Sequence, residues 1–239
     1  MQNTINNFVN NLRKPIHTPI GIYLLSFILP ALTITMPLMV LNWSNDYVLA
    51  HMYFIGTLGQ ALMDIPAVFM FYKLKTLPEN QNENNIRNRI VSAVVGFICA
   101  FVLAALRIVV VGHLMGGRFM GQVPAFTQSF NLNSPWNMIS AVMALLAYGP
   151  GEALFVVYFI LAFDIVLGDP QRIFSWGVIV TAVLWALPHA FNILFYGLNA
   201  IPNILIMFFV GLIMGILLKK TKSSWGPIVF WTLVNGTSI

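Results

Sequence analysis

Glu152 is a carboxylate inside a strongly apolar stretch, directly after Gly149-Pro150-Gly151, and His189 lies in the next apolar run. Because an ionisable group at membrane depth is costly unless it is paired or hydrated, both residues are candidate functional groups. A carboxylate and an imidazole can polarise a water together, one taking its proton and the other orienting it or returning the proton to a leaving amine. The pair therefore indicates an enzyme that works within the membrane, or the remnant of one.

Two further features bear on this chemistry. Catalysis at such a pair needs a hydrogen-bond donor for the developing oxyanion, and the side-chain amide of Asn235 could supply it without adding charge. The segment Gly149-Pro150-Gly151 is expected to interrupt its helix, because proline removes a backbone hydrogen bond and glycine permits close backbone approach. Glu152 would then lie near a helix N-terminus, which favours its anionic form.

Other charged residues in the apolar runs also have structural interpretations. Arg107 lies at about the same depth as Glu152 by helical rise, so an Arg107–Glu152 ion pair is an alternative explanation of the carboxylate. Asp64 precedes Ile65 and Pro66, where it could compensate a cation, satisfy backbone groups freed by the proline, or serve in catalysis. Asp164 is expected to be solvated at the cytoplasmic end of its helix.

Composition places the chain in a membrane. Of its 239 residues 59% are hydrophobic and 8% charged, with a mean hydropathy of +0.82, whereas soluble domains carry about 25% charged residues. The apolar runs have the length of helices, not of the alternating strands of a membrane barrel. We therefore predict an all-α, polytopic helical bundle in which residues 1–239 form a single transmembrane domain.

The chain contains seven apolar segments of plausible spanning length. They are approximately Pro19–Leu41, Tyr47–Tyr72, Ile90–Gly112, Asn137–Leu167, Ile173–Tyr196, Ile201–Leu218 and Trp225 to the C-terminus. With residues 1–18 as a cytoplasmic segment, ten Lys and Arg fall in inner loops and only Arg118 in an outer one. This distribution predicts a multi-pass cell-membrane protein with the N-terminus cytoplasmic and the C-terminus outside.

Several binding classes receive little support. The net charge of +5 follows from cytoplasmic loop cations, and no Arg/Lys-rich run indicates nucleic-acid binding. Cys99 is the single cysteine, and the four histidines (His17, His51, His113 and His189) form no His-Glu-x-x-His pattern. Because a catalytic zinc usually has three protein ligands, we predict no metal and no cofactor.

The motif order from Ala147 to Asn235 resembles the CAAX protease and bacteriocin-processing family, also called Abi or CPBP. Gly151-Glu152-Ala153-Leu154-Phe155-Val156 is similar to its Glu-Glu-x-x-x-Arg motif. Trp185-Ala186-Leu187-Pro188-His189 is similar to its Phe-x-x-x-His motif, with Asn192 following, and Trp231-Thr232-Leu233-Val234-Asn235 to its His-x-x-x-Asn/Asp motif. The resemblance implies a membrane bundle whose core helices, within residues 137–239, carry a glutamate-dependent intramembrane protease site.

Three motif positions differ from the family pattern. Gly151 stands at the first glutamate, Val156 at the arginine and Trp231 at the third-motif histidine. In the family the first glutamate, with the histidine, is thought to activate water. Either Glu152 takes over that role, or the scaffold serves as a binding module.

The leading hypothesis is a divergent intramembrane endopeptidase of this family that hydrolyses a peptide bond in a membrane-associated, prenylated or leader-bearing substrate. Glu152 would be the general base, His189 its partner and Asn235 the oxyanion donor. The second hypothesis is an inactive relative that binds a peptide or partner, such as a bacteriocin-immunity or membrane-complex subunit. A third is a transporter-like or small-molecule-binding bundle that uses Arg107 and Asp64.

Overall fold

The computed structural model describes residues 19–37, 45–75, 85–114, 135–168 and 172–236, and these ranges are helical with no strand. The predicted all-α class is thereby confirmed for the described residues. Among these described residues, four helices are long and apolar enough to cross a membrane: Phe54–Leu74, Ile86–Leu106, Met138–Leu167 and Ile201–Thr221. Two shorter apolar helices cover Pro19–Ile34 and Trp176–Ala190. The number of seven spans and the orientation of the termini stay predictions.

The elements follow one another as nine α-helices within the described part of the chain, joined in places by tighter or wider helical turns. They are α1 Pro19–Pro30, the π turn Ala31–Thr35, α2 Asn45–Lys75, α3 Ile86–Leu114, α4 Pro135–Leu146, the π turn Ala147–Gly151, α5 Glu152–Leu167, α6 Trp176–Ala186, the 3-10 segment Leu187–Asn192, α7 Ile193–Tyr196, the 3-10 segment Gly197–Ala200, α8 Ile201–Thr221 and α9 Trp225–Gly236.

Local sequence explains where these helices begin and end. Ser175 caps α6, because its side-chain oxygen accepts a hydrogen bond from the Val178 amide at 3.3 Å. Gly168 ends α5 in the left-handed conformation, at φ 72°, which glycine adopts without strain. Pro202 lies in the first turn of α8, where a missing N–H removes no helical bond.

Helix α5 is the centre of the bundle. Eleven of its sixteen residues are buried, and it packs against α2, α6, α8 and α9. A helix that is apolar on all sides is stable only when other helices surround it. Phe155 and Phe159 pack edge-on with ring centroids 4.7 Å apart, and Tyr23 of α1 lies 5.7 Å from Phe159. The Tyr23 hydroxyl donates to Leu184 O at 2.8 Å, which ties α1 to α6.

Helices α3 and α9 approach each other closely through small residues. A Cβ on Gly96 would collide with the backbone of Gly226, so neither position accepts a larger side chain without movement. Ser92, fully buried one turn earlier, accepts from the Gly226 amide at 2.6 Å and contacts the Thr221 hydroxyl at 2.7 Å. Such packing between small residues is the usual way in which membrane helices associate.

The expectation that Asp164 is solvated is wrong. Its side chain is 1% exposed, forms an ion pair with Lys219 of α8, and accepts from the Gly177 amide at 3.2 Å. The lysine stem reaches from the end of α8 to the carboxylate, and the missing side chain of Gly177 lets α6 lie directly over it. A charge near the end of α5 is therefore enclosed by neighbouring helices.

Candidate active site around Glu152

A π turn, and not a helix break, precedes Glu152. The Glu152 amide donates to Ala147 O and Gly149 O, so it does not bond to Tyr148 O as it would in a regular α-helix. Pro150 has no amide hydrogen to donate, which favours a local departure from the α-helical pattern. The expected interruption is thus corrected to a wide turn, although Glu152 does begin α5. Single π turns inside helices are frequent at functional sites.

The Glu152 carboxylate is fixed by two neutral donors from α9. Its Oε2 atom accepts from Trp231 Nε1 at 2.6 Å and from Asn235 Nδ2 at 3.2 Å. The residue is 7% exposed, and no described side chain donates to Oε1. Among the described residues, one oxygen of Glu152 is therefore held by two donors of α9.

Asn235 connects this carboxylate to the π turn. Its Nδ2 atom also donates to Tyr148 O at 2.6 Å, the carbonyl that the π turn releases from the Glu152 amide. Because a side-chain amide has two hydrogens on its nitrogen, these two acceptors engage both. The structure thus joins Asn235 and Glu152, two of the three residues that the sequence selected.

His189 packs against Trp185, whose ring also packs against Trp231. It is in the 3-10 segment after α6, half-buried, with Nδ1 3.2 Å from Trp185 O. The ring of Trp185 lies 6.2 Å from that of His189 and 5.7 Å, edge to face, from that of Trp231. Within the described part of the chain no hydrogen bond joins His189 to Glu152. Whether His189 takes part in catalysis stays a prediction.

Two residues from the sequence analysis cannot be placed at the site. The side chains of Arg107 and Asn192 lie outside the described residues, although the backbone of each is helical. The alternative Arg107–Glu152 ion pair is therefore untested. The donors that the described residues provide to Glu152 are both uncharged.

The structure adds Asp64 of α2, whose side chain is 3% exposed. Its Oδ1 atom accepts from Gln60 Nε2 at 3.1 Å, whereas the buried Oδ2 atom has no partner among the described residues. A Cβ on Gly151 would lie 2.8 Å from that Oδ2 atom, and Asp64 interacts electrostatically with Glu152. The sequence shows Asp64 as an aspartate within an apolar run. Because nearly ninety residues separate it from Glu152, the sequence alone did not indicate that it lies beside Gly151.

Trp231 is the other residue that sequence reasoning did not place at the carboxylate. The resemblance marked it only as a departure from a histidine position. Its position four residues before Asn235 in α9 puts both side chains on one helix face, so the same spacing could have identified it. In the described ranges no three His, Cys, Asp or Glu side chains converge as metal ligands would.

Comparison with known families gives one match. Residues 133–237 match the family described as type II CAAX prenyl endopeptidase Rce1-like, whose members are intramembrane proteases. The matched part runs from α4 to α9 and contains Glu152, His189, Trp231 and Asn235 but not Asp64. The resemblance stated from the motifs is confirmed for this part of the chain. Neither the curated proteins nor the solved structures give a match.

Proposed function

We propose that this protein is an intramembrane endopeptidase of the CAAX-protease type. Glu152 takes a proton from a water that attacks a peptide bond in a membrane-associated substrate, either prenylated or bearing a leader. The observation that carries the proposal is a buried carboxylate held at one oxygen by two neutral donors, within the segment that matches a family of intramembrane proteases.

The neutrality of these donors matters for the chemistry. The Trp231 indole and the Asn235 amide donate hydrogen bonds but carry no charge and accept no proton at those nitrogens. They orient the carboxylate while Oε1 stays free to receive a proton from water. A general base must lie within hydrogen-bond reach of the proton it removes, and a fixed carboxylate meets that requirement once a water occupies the Oε1 side.

Asn235 and His189 have secondary roles in this proposal. Both amide hydrogens of Asn235 donate before substrate binds, one to Tyr148 O and one to Glu152 Oε2. Asn235 therefore gives up its hydrogen bond to Tyr148 O in order to donate to the oxyanion. His189, which packs against Trp185, contacts the bound peptide or its leaving amine. The site lies in a multi-pass cell-membrane protein with its N-terminus in the cytoplasm.

A second candidate is an inactive member of the same fold that binds a peptide or a membrane partner. Trp231 favours it, because a buried indole, 3% exposed, occupies the position at which the family has a titratable histidine. In that case the hydrogen bonds to Glu152 stabilise the bundle, and binding does not depend on the charge of the carboxylate.

The deciding experiment compares wild type with Glu152→Gln in liposomes. The probe is an internally quenched peptide with a farnesylated cysteine three residues before its end, and the same peptide without the prenyl group serves as substrate control. Glu83→Gln, in the stretch rich in Asn and Gln between α2 and α3, is the matched control. We expect Glu152→Gln to reduce kcat by about 100-fold or more, with the control unchanged. Equal cleavage by wild type and Glu152→Gln would refute the proposal, whereas equal binding without cleavage in either would favour the binding module.

A further inference from the structure

The space beside Gly151 is filled by a carboxyl group from another helix. Asp64 Oδ2 lies 2.8 Å, and its Cγ atom 3.5 Å, from the point at which a side chain on residue 151 would begin. Asp64 belongs to α2, outside the segment that matches the family model. Gly151, next to Glu152, thus has no side chain, and the Asp64 carboxyl group lies where that side chain would begin.

The Asp64 carboxyl group is buried and has an oxygen that lacks a hydrogen-bond partner among the described residues. Asp64 is 3% exposed, and the oxygen is its Oδ2 atom. A buried polar atom left unsatisfied is costly, so it normally has a partner that binds there. Within the described part of the chain, Asp64 faces Gln60 on its own helix, Glu152 on α5 and Tyr148 in the π turn. It interacts electrostatically with the latter two.

We propose that Asp64 supplies, from α2, the second carboxyl group of the active site, in the space that Gly151 leaves empty. This inference rests on the proposed endopeptidase function and adds a residue to it. Burying two negative charges side by side is unfavourable, and two neighbouring carboxyl groups avoid that cost by sharing a proton. In the resting site one of the pair is therefore a carboxylate and the other a carboxylic acid.

The pair accounts for every proton in peptide hydrolysis. Glu152 removes one proton from water as the water oxygen bonds to the carbonyl carbon. Asp64 donates its proton to the amide nitrogen as the carbon–nitrogen bond breaks, which releases an amine and a carboxylic acid. Transfer of the proton from Glu152 to Asp64 then restores the starting state. Asp64 thus performs the proton return that the sequence analysis offered to the partner of Glu152, His189.

A purely structural role of Asp64 makes a different prediction. If Asp64 only fills space or anchors Gln60, the isosteric Asp64→Asn keeps the shape and the Oδ1 acceptor, and activity persists. If the carboxyl group itself is needed, a glutamate introduced at position 151 should supply a carboxyl group in its place. Removing the Asp64 carboxyl clears its Oδ2 and Cγ atoms from that point, and the backbone atom Leu146 O, at 3.0 Å, must still shift by a few tenths of an ångström.

The experiment uses the full chain in liposomes with the farnesylated peptide probe. The variants are Asp64→Asn, Asp64→Ala with Gly151→Glu, and Asp64→Ala with Gly151→Gln as the uncharged control, each checked for monodispersity and thermal melting in detergent. We expect Asp64→Asn to lower kcat about 100-fold or more, the glutamate double variant to recover at least about tenfold of that loss, and the glutamine double variant to recover none.

The outcomes separate this inference from the function on which it rests. Wild-type activity that is lost in Glu152→Gln but retained in a folded Asp64→Asn overturns the role of Asp64 alone. Equal activity of the glutamate and glutamine double variants, both folded, also overturns it. Absence of cleavage by wild type overturns the proposed function and the inference together. Recovery by the glutamate variant alone supports a two-carboxyl site.

Discussion

Trp231 Nε1 donates a 2.6 Å hydrogen bond to Oε2 of Glu152, so the residue at the position of the family's histidine contacts the candidate base directly. An indole at this position orients the carboxylate but takes no part in proton transfer, because its nitrogen only donates. The same ring packs edge to face against Trp185, 5.7 Å away, and Trp185 contacts the His189 ring. Trp231, at the position where the family has histidine, therefore orients the carboxylate but cannot share in proton transfer.

The first prediction concerns this hydrogen bond. Trp231→Phe keeps an aromatic ring but removes the donor, so Glu152 Oε2 is held by Asn235 alone. We expect a loss of about 1–3 kcal/mol in the free energy of unfolding and a lower kcat with little change in KM. Thermal melting in detergent and cleavage of the peptide probe measure the two effects. Trp225→Phe is the matched control, because Trp225 is 42% exposed; equal effects of both substitutions would contradict a specific role for the Trp231 indole.

The second prediction concerns the buried ion pair of Asp164 and Lys219. Lys219→Met leaves the Asp164 carboxylate, 1% exposed, without its cation. Removal of one partner of a buried pair costs about 3–5 kcal/mol, so we expect a large fall in melting temperature. Lys219→Met combined with Asp164→Asn should recover much of it. Lys220→Met, on the exposed neighbour, is the control; an additive double variant would show that the two groups do not interact.

The third prediction tests the contact between α3 and α9. Gly96→Ala places a methyl group against the Gly226 backbone, and backbone atoms cannot move aside as a flexible side chain can. We expect destabilisation of about 1–3 kcal/mol from overpacking. Gly59→Ala is the matched control, since its Cβ would meet only Ile34 Cδ1 at 3.7 Å and alanine is the better helix former. A melting temperature that falls equally in both variants would contradict the close approach.

The fourth prediction concerns orientation in the membrane, which rests on loop charge alone. In a background with Cys99→Ala, single cysteines at Asn82 and at Arg118 should react with a membrane-impermeant maleimide from opposite sides of sealed vesicles. Asn82 should be reached only from the cytoplasmic side, and Arg118 only from the outer side. Both positions lie outside the described residues. Labelling of both from one side would contradict the proposed topology.

The sequence determined the class of this protein and much of its site. The low charge and the long apolar runs place the chain in a membrane, where no water is present to bind the backbone N–H and C=O groups. Each segment of this length must therefore satisfy these groups by its own hydrogen bonds, as an α-helix does. The motif order selected Glu152 and Asn235, and the structure joins them by a hydrogen bond of 3.2 Å. Their polarity within apolar runs made them candidates, because such residues at membrane depth are often functional, and the motif order distinguished them from the other candidates.

The tertiary structure alone decided which groups meet across helices. It showed that Trp231 contacts Glu152, that His189 packs against Trp185, and that Asp64 fills the space beside Gly151. These contacts depend on how far each helix is rotated about its axis and on where the π turn shifts the residues after it. Periodicity within one helix does not contain that information, because the packing of all the helices together sets it.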